Sequence, residues 1–96
     1  MNQSFDIAVV GATGTVGETI VQMLEERDFP VGKLHLLASS ESDGHSVPFR
    51  GKNVRVRDVD TFDFSSVQLA FFAAGPAVTL SFAAKASAAG CMVVDL

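Results

Sequence analysis

The chain has 96 residues, enough for one small domain that buries roughly 60–65% of the surface its unfolded form exposes. Hydrophobic residues make up 48% of it, which argues for a packed core against disorder, and the net charge of −4, with seven basic residues in no cluster, argues against a nucleic-acid partner. No apolar run reaches the roughly 18–20 residues of a membrane span, residues 1–4 do not begin a signal peptide, and the single Cys91 fits a reducing, cytoplasmic setting.

Phe5 to Val10 is a short apolar run that stops at Gly11, which predicts a strand buried on both faces, as in a parallel sheet. After the glycine-rich stretch 11–17 the period becomes helical. Val16, Ile20, Met23 and Leu24 share a predicted apolar face, and Phe29-Pro30 stops the helix. Leu34 to Ala38 predicts the second strand and Ser39 to Ser46 a polar loop. Val47 to Val56 predicts a hairpin turning near Gly51-Lys52-Asn53, with Pro48 removing one ladder donor. Asp58 to Ser66 is expected to be turn and loop, with Phe62 and Phe64 packing onto the sheet. Leu69 to Ala73 is the next strand. Gly75-Pro76 opens a second helix with Val78, Phe82 and Ala86 or Ala89 as its apolar stripe, Gly90 ends it, and Cys91 to Val94 is the last strand. This alternation predicts an α/β, Rossmann-like doubly wound sheet, mostly parallel, with about five strands and two helices. Residues 1–96 then form a dinucleotide-binding domain. Because the chain stops at the end of a buried strand, the expectation is an N-terminal fragment of a longer two-domain protein.

The stretch Gly11-Ala12-Thr13-Gly14-Thr15-Val16-Gly17 carries the chemistry. It follows a strand and opens a helix inside a βαβ unit, the context a dinucleotide fingerprint requires. Gly11 allows the sharp turn, Gly14 lets the backbone approach a pyrophosphate, and Gly17 lets the helix pack on the first strand. Free N–H groups at the helix start, aided by the hydroxyls of Thr13 and Thr15, can then hold phosphate oxygens. The spacing is one residue longer than the commonest form, and no Lys-Ser/Thr follows to make it a Walker A loop. At the end of the second strand, where this fold meets the adenosine ribose, Ser39 and Ser40 could donate to a 2′-phosphate while an inward-facing Glu41 would repel one. The plainer reading is a Glu41 solvated in the loop, so these residues leave NADP and NAD both open.

Gly-Ala-Thr-Gly-x-Val-Gly at 11–17, Leu37-Ala38-Ser39 followed by Ser42-Asp43-Gly44, Phe72-Ala73-Ala74-Gly75 and the closing Gly90-Cys91-Met92-Val93-Val94-Asp95 together resemble the N-terminal domain of aspartate-β-semialdehyde dehydrogenases over essentially the whole chain. The glycine motif alone is shared with N-acetylglutamyl-phosphate reductases and extended short-chain dehydrogenases. The resemblance implies an NADP-dependent, dimeric enzyme of amino-acid biosynthesis that interconverts aspartyl phosphate and its semialdehyde through a cysteine thioester. It implies that Thr13, Gly14, Thr15 and Val16 wrap the pyrophosphate. The Ser39-Ser40-Glu41-Ser42 loop would meet the adenosine 2′-phosphate, and Ala74 and Gly75 would line the path toward the nicotinamide. The family's catalytic cysteine, histidine and substrate-binding arginines would all lie beyond Leu96, so no catalytic residue is assigned here. Two departures point to a paralogue branch. Glu41 stands where the family usually has an arginine, and Asp95-Leu96 stands where it commonly continues Asp-Asn-Ser. The competing readings are a non-catalytic nucleotide-binding paralogue and an extended short-chain dehydrogenase or epimerase.

Other tempting residues have plainer explanations. Cys91 begins a buried strand and acts as a small hydrophobe, and neither His35 nor His45 has an acid or thiol at ligand spacing, so no metal site is expected. Asp58, Asp60 and Asp63 do not match a calcium loop, and Phe71-Phe72 is expected to be sheet core. Asp95 sits at a strand's C-terminal end, where ligand crevices form.

Overall fold

The computed structural model describes residues 4–42 and 44–95. In chain order it contains β1 (Phe5–Val10), α1 (Thr15–Glu26), β2 (Val31–Ala38), β3 (Ser46–Phe49), β4 (Lys52–Asp58), β5 (Leu69–Phe72), α2 (Pro76–Ala88) and β6 (Met92–Asp95). The six strands form one sheet in the order β3-β4-β2-β1-β5-β6. Every neighbouring pair is parallel except β3 with β4. The sheet is thus α/β and mostly parallel as expected, with one strand more than the expected five because the hairpin joins the main sheet.

Burial of β1 on both faces decides the layers. Ile7 and Val9 pack on one side with Val21 and Leu24 of α1, Leu36, Phe49 and Val56. Ala8 and Val10 pack on the other side with Leu37, Phe64, Phe72 and Ala86 of α2. The side chains alternate because a strand repeats every two residues, so a single apolar run feeds both cores. Phe71 and Phe72 divide in the same way. Phe72 is buried and stacks on Phe64 at 6.0 Å, while Phe71 lies half-buried on the α1 side.

Several local expectations need correction. The buried face of α1 runs through Gly17, Val21 and Leu24, while Val16 and Met23 are exposed, and Met23 borders an open apolar groove with Ile20, Phe29 and Phe71. The helix sits rotated from the expected face because Gly17, having no side chain, is the point that touches the turn after β1. Helix α1 also ends before Phe29-Pro30. Asp28, at a φ of 52°, closes it with Phe29 N donating to Leu24 O (3.2 Å) and Asp28 N to Glu25 O (3.4 Å), a Schellman pattern. The second helix ends the same way, with Cys91 N donating to Ala86 O and Gly90 N to Ser87 O. Its stripe uses Ala86, with Ala89 exposed, and buries Thr79, whose hydroxyl donates to Gly75 O (2.9 Å). Strand β6 accordingly starts at Met92, one residue later than expected.

The hairpin turns at Arg50-Gly51, both with positive φ, rather than at 51–53. This is the two-residue turn whose twist matches the flanking strands. Pro48 is tolerated because β3 is an edge strand. The segment expected to be loop, 58–66, holds two short 3₁₀ turns. Asp58 caps the first by accepting from Asp60 N (2.9 Å), and Asp63 caps the second by accepting from Ser65 N (3.0 Å) and the Ser65 hydroxyl (2.7 Å). Those Ser65 bonds hold the Asp63 carboxyl below its usual range. The basic residues, dispersed in sequence, partly converge: β4 brings Arg55 and Arg57 beside His35 of β2.

Arg50 joins the hairpin to the end of α1. Its guanidinium donates to Leu24 O (3.0 Å) and Phe29 O (2.6 Å), and its backbone N–H donates to the Glu25 carboxylate. These bonds give Leu24 O and Phe29 O a second donor each and tie the hairpin to the chain that leaves α1. Arg50→Ala should therefore lower unfolding free energy by about 1–3 kcal/mol in urea denaturation, with Arg50→Lys recovering part of the loss.

His35 lies half-buried against the Phe62 ring, 5.2 Å between centroids. Burial pushes its pKa below 6.5, outweighing the nearby Asp6 carboxylate, which raises it, while Lys33 and Arg57 lower it further. Unfolding therefore takes up a proton. The stabilisation is present above the unfolded pKa of about 6.5 and is lost as pH falls through the lower folded value. The urea midpoint should fall from pH 7 toward pH 5, and more weakly in His35→Gln.

Candidate functional site

Between β1 and β5 the sheet order reverses direction: from β1 the chain moves to β2 on one side, and after β4 it returns to β5 on the other. Such switch points leave a crevice at the C-terminal strand ends. An open crevice of about 460 Å³ lies there. The glycine turn contributes Val10, Gly11, Thr13 and Gly14, and the end of β2 contributes Ala38 and Ser39. Val59 and Asp60 follow β4, Ala73 and Ala74 follow β5, and Val78 and Phe82 project from α2.

The glycine turn is held from both sides. Gly11 N and Ala12 N donate to Leu37 O of β2 (2.8 and 3.2 Å), and Val10 O accepts from Ala73 N (2.9 Å). Gly11 has a φ of 87°, and a Cβ there would lie 2.8 Å from the Ala74 backbone. At Gly17 a Cβ would sit 2.1 Å from the Gly11 carbonyl oxygen, so α1 can approach the turn only through glycine. Gly14 differs: its φ is −81°, and an added Cβ would meet only the Gly11 oxygen, at 3.5 Å. The protein itself tolerates a side chain at Gly14. The space kept free there opens on the crevice.

Helix α1 begins directly after Gly14 with no side-chain cap on its first N–H groups, and α2 begins likewise after Gly75. Uncapped first-turn N–H groups and the positive end of the helix dipole suit an anion. A backbone that can approach without a Cβ, next to such a helix start, fits a dinucleotide pyrophosphate.

Of the residues singled out from sequence, Gly11, Thr13, Gly14, Ser39 and Ala74 line the crevice. Thr15 and Val16 are exposed on the first turn of α1, and Gly75 precedes α2. Ser40, Glu41 and Ser42 form a 3₁₀ turn beside the crevice rather than lining it. The Ser42 and Thr13 hydroxyl oxygens lie 3.4 Å apart, so that turn leans on the glycine turn, and Glu41 is exposed. Asp43 falls outside the described residues. Asp60, Val59, Val78 and Phe82 were not anticipated as site residues. Asp60 could have been found as a residue just past a parallel strand, since Ala38 of β2 pairs with Asp58 of β4. Cys91 is buried, which raises its pKa, and it lines no part of the crevice. Among the described residues no three His, Cys, Asp or Glu side chains gather as a metal site, and no helix is long and apolar enough to cross a membrane.

A parallel sheet wound on both faces, with a glycine turn feeding a helix at the switch point, defines a dinucleotide-binding domain. The family described as "Semialdehyde dehydrogenase, NAD binding domain" matches residues 6–96, and the chain belongs to it. A USG-1 protein homolog of Azotobacter vinelandii is 64% identical over 96 residues, covering the whole chain and 29% of that protein. An aspartate-semialdehyde dehydrogenase of Legionella pneumophila is 54% identical over 95 residues, 99% of the chain and 27% of that protein. The crystal structure of aspartate semialdehyde dehydrogenase II from Vibrio cholerae complexed with ASA superposes with a TM-score of 0.95 at 48% identity, over 97% of this chain and 30% of that one. The chain spans less than a third of these relatives' length. The family match sets aside the short-chain dehydrogenase reading.

Gly17→Ala should cost about 2–4 kcal/mol, because the new Cβ meets backbone and not a movable side chain. Gly14→Ala should cost less than about 1 kcal/mol. Thermal denaturation of the two variants checks the contrast.

Proposed function

We propose that residues 1–96 are the N-terminal cofactor domain of a longer, two-domain oxidoreductase of the aspartate-semialdehyde dehydrogenase type. The observation that carries this is the crevice at the β1/β5 switch point, walled by the glycine turn and Ala73-Ala74. In this reading Thr13, Gly14, Thr15 and Val16 hold the pyrophosphate through backbone N–H groups and hydroxyls. Ser39 to Ser42 border the adenosine, and Ala74 and Gly75 lead toward the nicotinamide. When bound, NAD(P) supplies the hydride chemistry, and this chain's contribution is to fix where the cofactor lies.

The reacting groups, including a cysteine nucleophile, are proposed to lie in the part of the protein after residue 96. The small-molecule substrate is proposed to be an acyl phosphate and its semialdehyde, in keeping with the ASA-bound Vibrio structure. A cytoplasmic homodimer is proposed for the whole protein. NADP is the cofactor the resemblance implies, and the glycine turn would serve NADP and NAD alike.

A second reading, a nucleotide-binding paralogue without the dehydrogenase reaction, is favoured by Glu41 and by the 64% identity to a USG-1 homolog. Reduction of NADP dependent on the semialdehyde and phosphate, by the full-length protein, would exclude it.

Calorimetric titration tests the cofactor seat. The chain should bind NAD or NADP, and Gly14→Ala should weaken that binding at least tenfold while melting at nearly the same temperature. A Gly14→Ala variant that binds as tightly as the parent would place the nucleotide elsewhere.

A further inference from the structure

The crevice carries charge of one sign at its β2/β4 end. Ala38 pairs with Asp58, so the segments that leave β2 and β4 rise side by side: Ser39 to Ser42 from one, Val59 to Thr61 from the other. Ser39 and Asp60 both line the crevice. The position of Asp60 is fixed by its own turn, where its N–H donates to the Asp58 carboxylate (2.9 Å) and the Thr61 hydroxyl donates to Asp58 O (3.1 Å). Glu41 is exposed on the neighbouring 3₁₀ turn. Among the described residues lining the crevice there is no lysine, arginine or histidine, and Asp60 is the one acidic residue. The basic residues of β4, Arg55 and Arg57, border a different hollow with His35 and Phe62. His45 borders another, beyond Thr13, together with Glu18.

The part of a dinucleotide that lies past the second strand of this fold is the adenosine ribose, whose 2′ position is a hydroxyl in NAD and a phosphate in NADP. A carboxylate can accept a hydrogen bond from the hydroxyl and repels the phosphate.

Resting on the cofactor-seat reading above, we propose that Asp60, with Glu41 on the turn that leaves the paired strand, makes this crevice select NAD over NADP. Asp60 is the specificity-determining residue that faces the nucleotide, and Glu41 adds to the field from the rim. The acid in place of the arginine usual in the resembling family is thus matched by a second acid from the turn after β4, so the choice does not hang on one side chain.

Calorimetric titration of the chain with NAD and with NADP, in separate experiments at low salt, reads the selection directly. NAD should bind at least tenfold more tightly. Asp60→Asn should narrow the ratio by raising NADP affinity, and adding Glu41→Arg should bring NADP level with NAD or beyond it. Raising the salt concentration should narrow the ratio in the parent chain, because screening weakens the repulsion. Equal or tighter binding of NADP by the parent chain would overturn the proposal while leaving the cofactor seat intact. So would an Asp60→Asn variant that weakens both ligands equally, since Asp60 would then touch a part they share. Binding of neither ligand by a chain shown to be folded by circular dichroism would overturn the cofactor seat, and this selection with it.

Discussion

The approach of Gly17 to the Gly11 carbonyl leaves no volume for a side chain, and the geometry of the ligand end follows from that contact. It brings the first turn of α1 directly against the end of β1. The uncapped N–H groups of the helix are thereby aimed at the space above the sheet. It also rotates the helix so that Val21 and Leu24 enter the core while Val16 and Met23 do not. One packing contact thus sets the electrostatics of the site and the hydrophobic layer beneath it. On the opposite side Gly11 touches the Ala73-Ala74 backbone, so the turn is wedged between two strand ends and has little freedom to yield.

The crevice itself is a product of topology. The chain returns from β4 to β5 across the face that α2 covers, through two short turns capped by Asp58 and Asp63. Phe64, directly after the second cap, is driven into the core against Phe72 and Phe82. Anchoring the crossing by a buried ring and two local caps holds Val59 and Asp60 beside the crevice. An acidic run that looks uniform in sequence therefore has divided labour: two carboxylates fold the backbone and one is left facing the site.

Strands β1, β5 and β6 were legible as short apolar runs bounded by glycine or polar residues, and β4 by the alternation of Val54 and Val56 with Arg55 and Arg57. The glycine turn was legible because its residue types are forced by contact distances, as Gly11 and Gly17 show. What escaped the sequence is what depends on rotation and on neighbours distant in the chain. Val16 and Met23 have the right period but lie off the buried face, a difference of one helical step that hydrophobicity cannot register. The turn at Arg50-Gly51 was displaced by one residue because arginine rarely takes a positive φ, and only its bonds to α1 reveal what holds it there. Asp60 was hidden because its relevance arises from the pairing of β2 with β4.

Exposed hairpin turns are ordinarily where a protein accepts extra residues most easily. Here the turn residue Arg50 reaches across to close the end of α1. Lengthening the turn would withdraw that side chain from the helix terminus, so the loop has a fixed length even though nothing in it touches the crevice. The edge hairpin behaves as a splint. Related sequences should vary at the exposed Ser46 and Pro48 of β3, yet insertions and deletions should be scarce between Phe49 and Lys52.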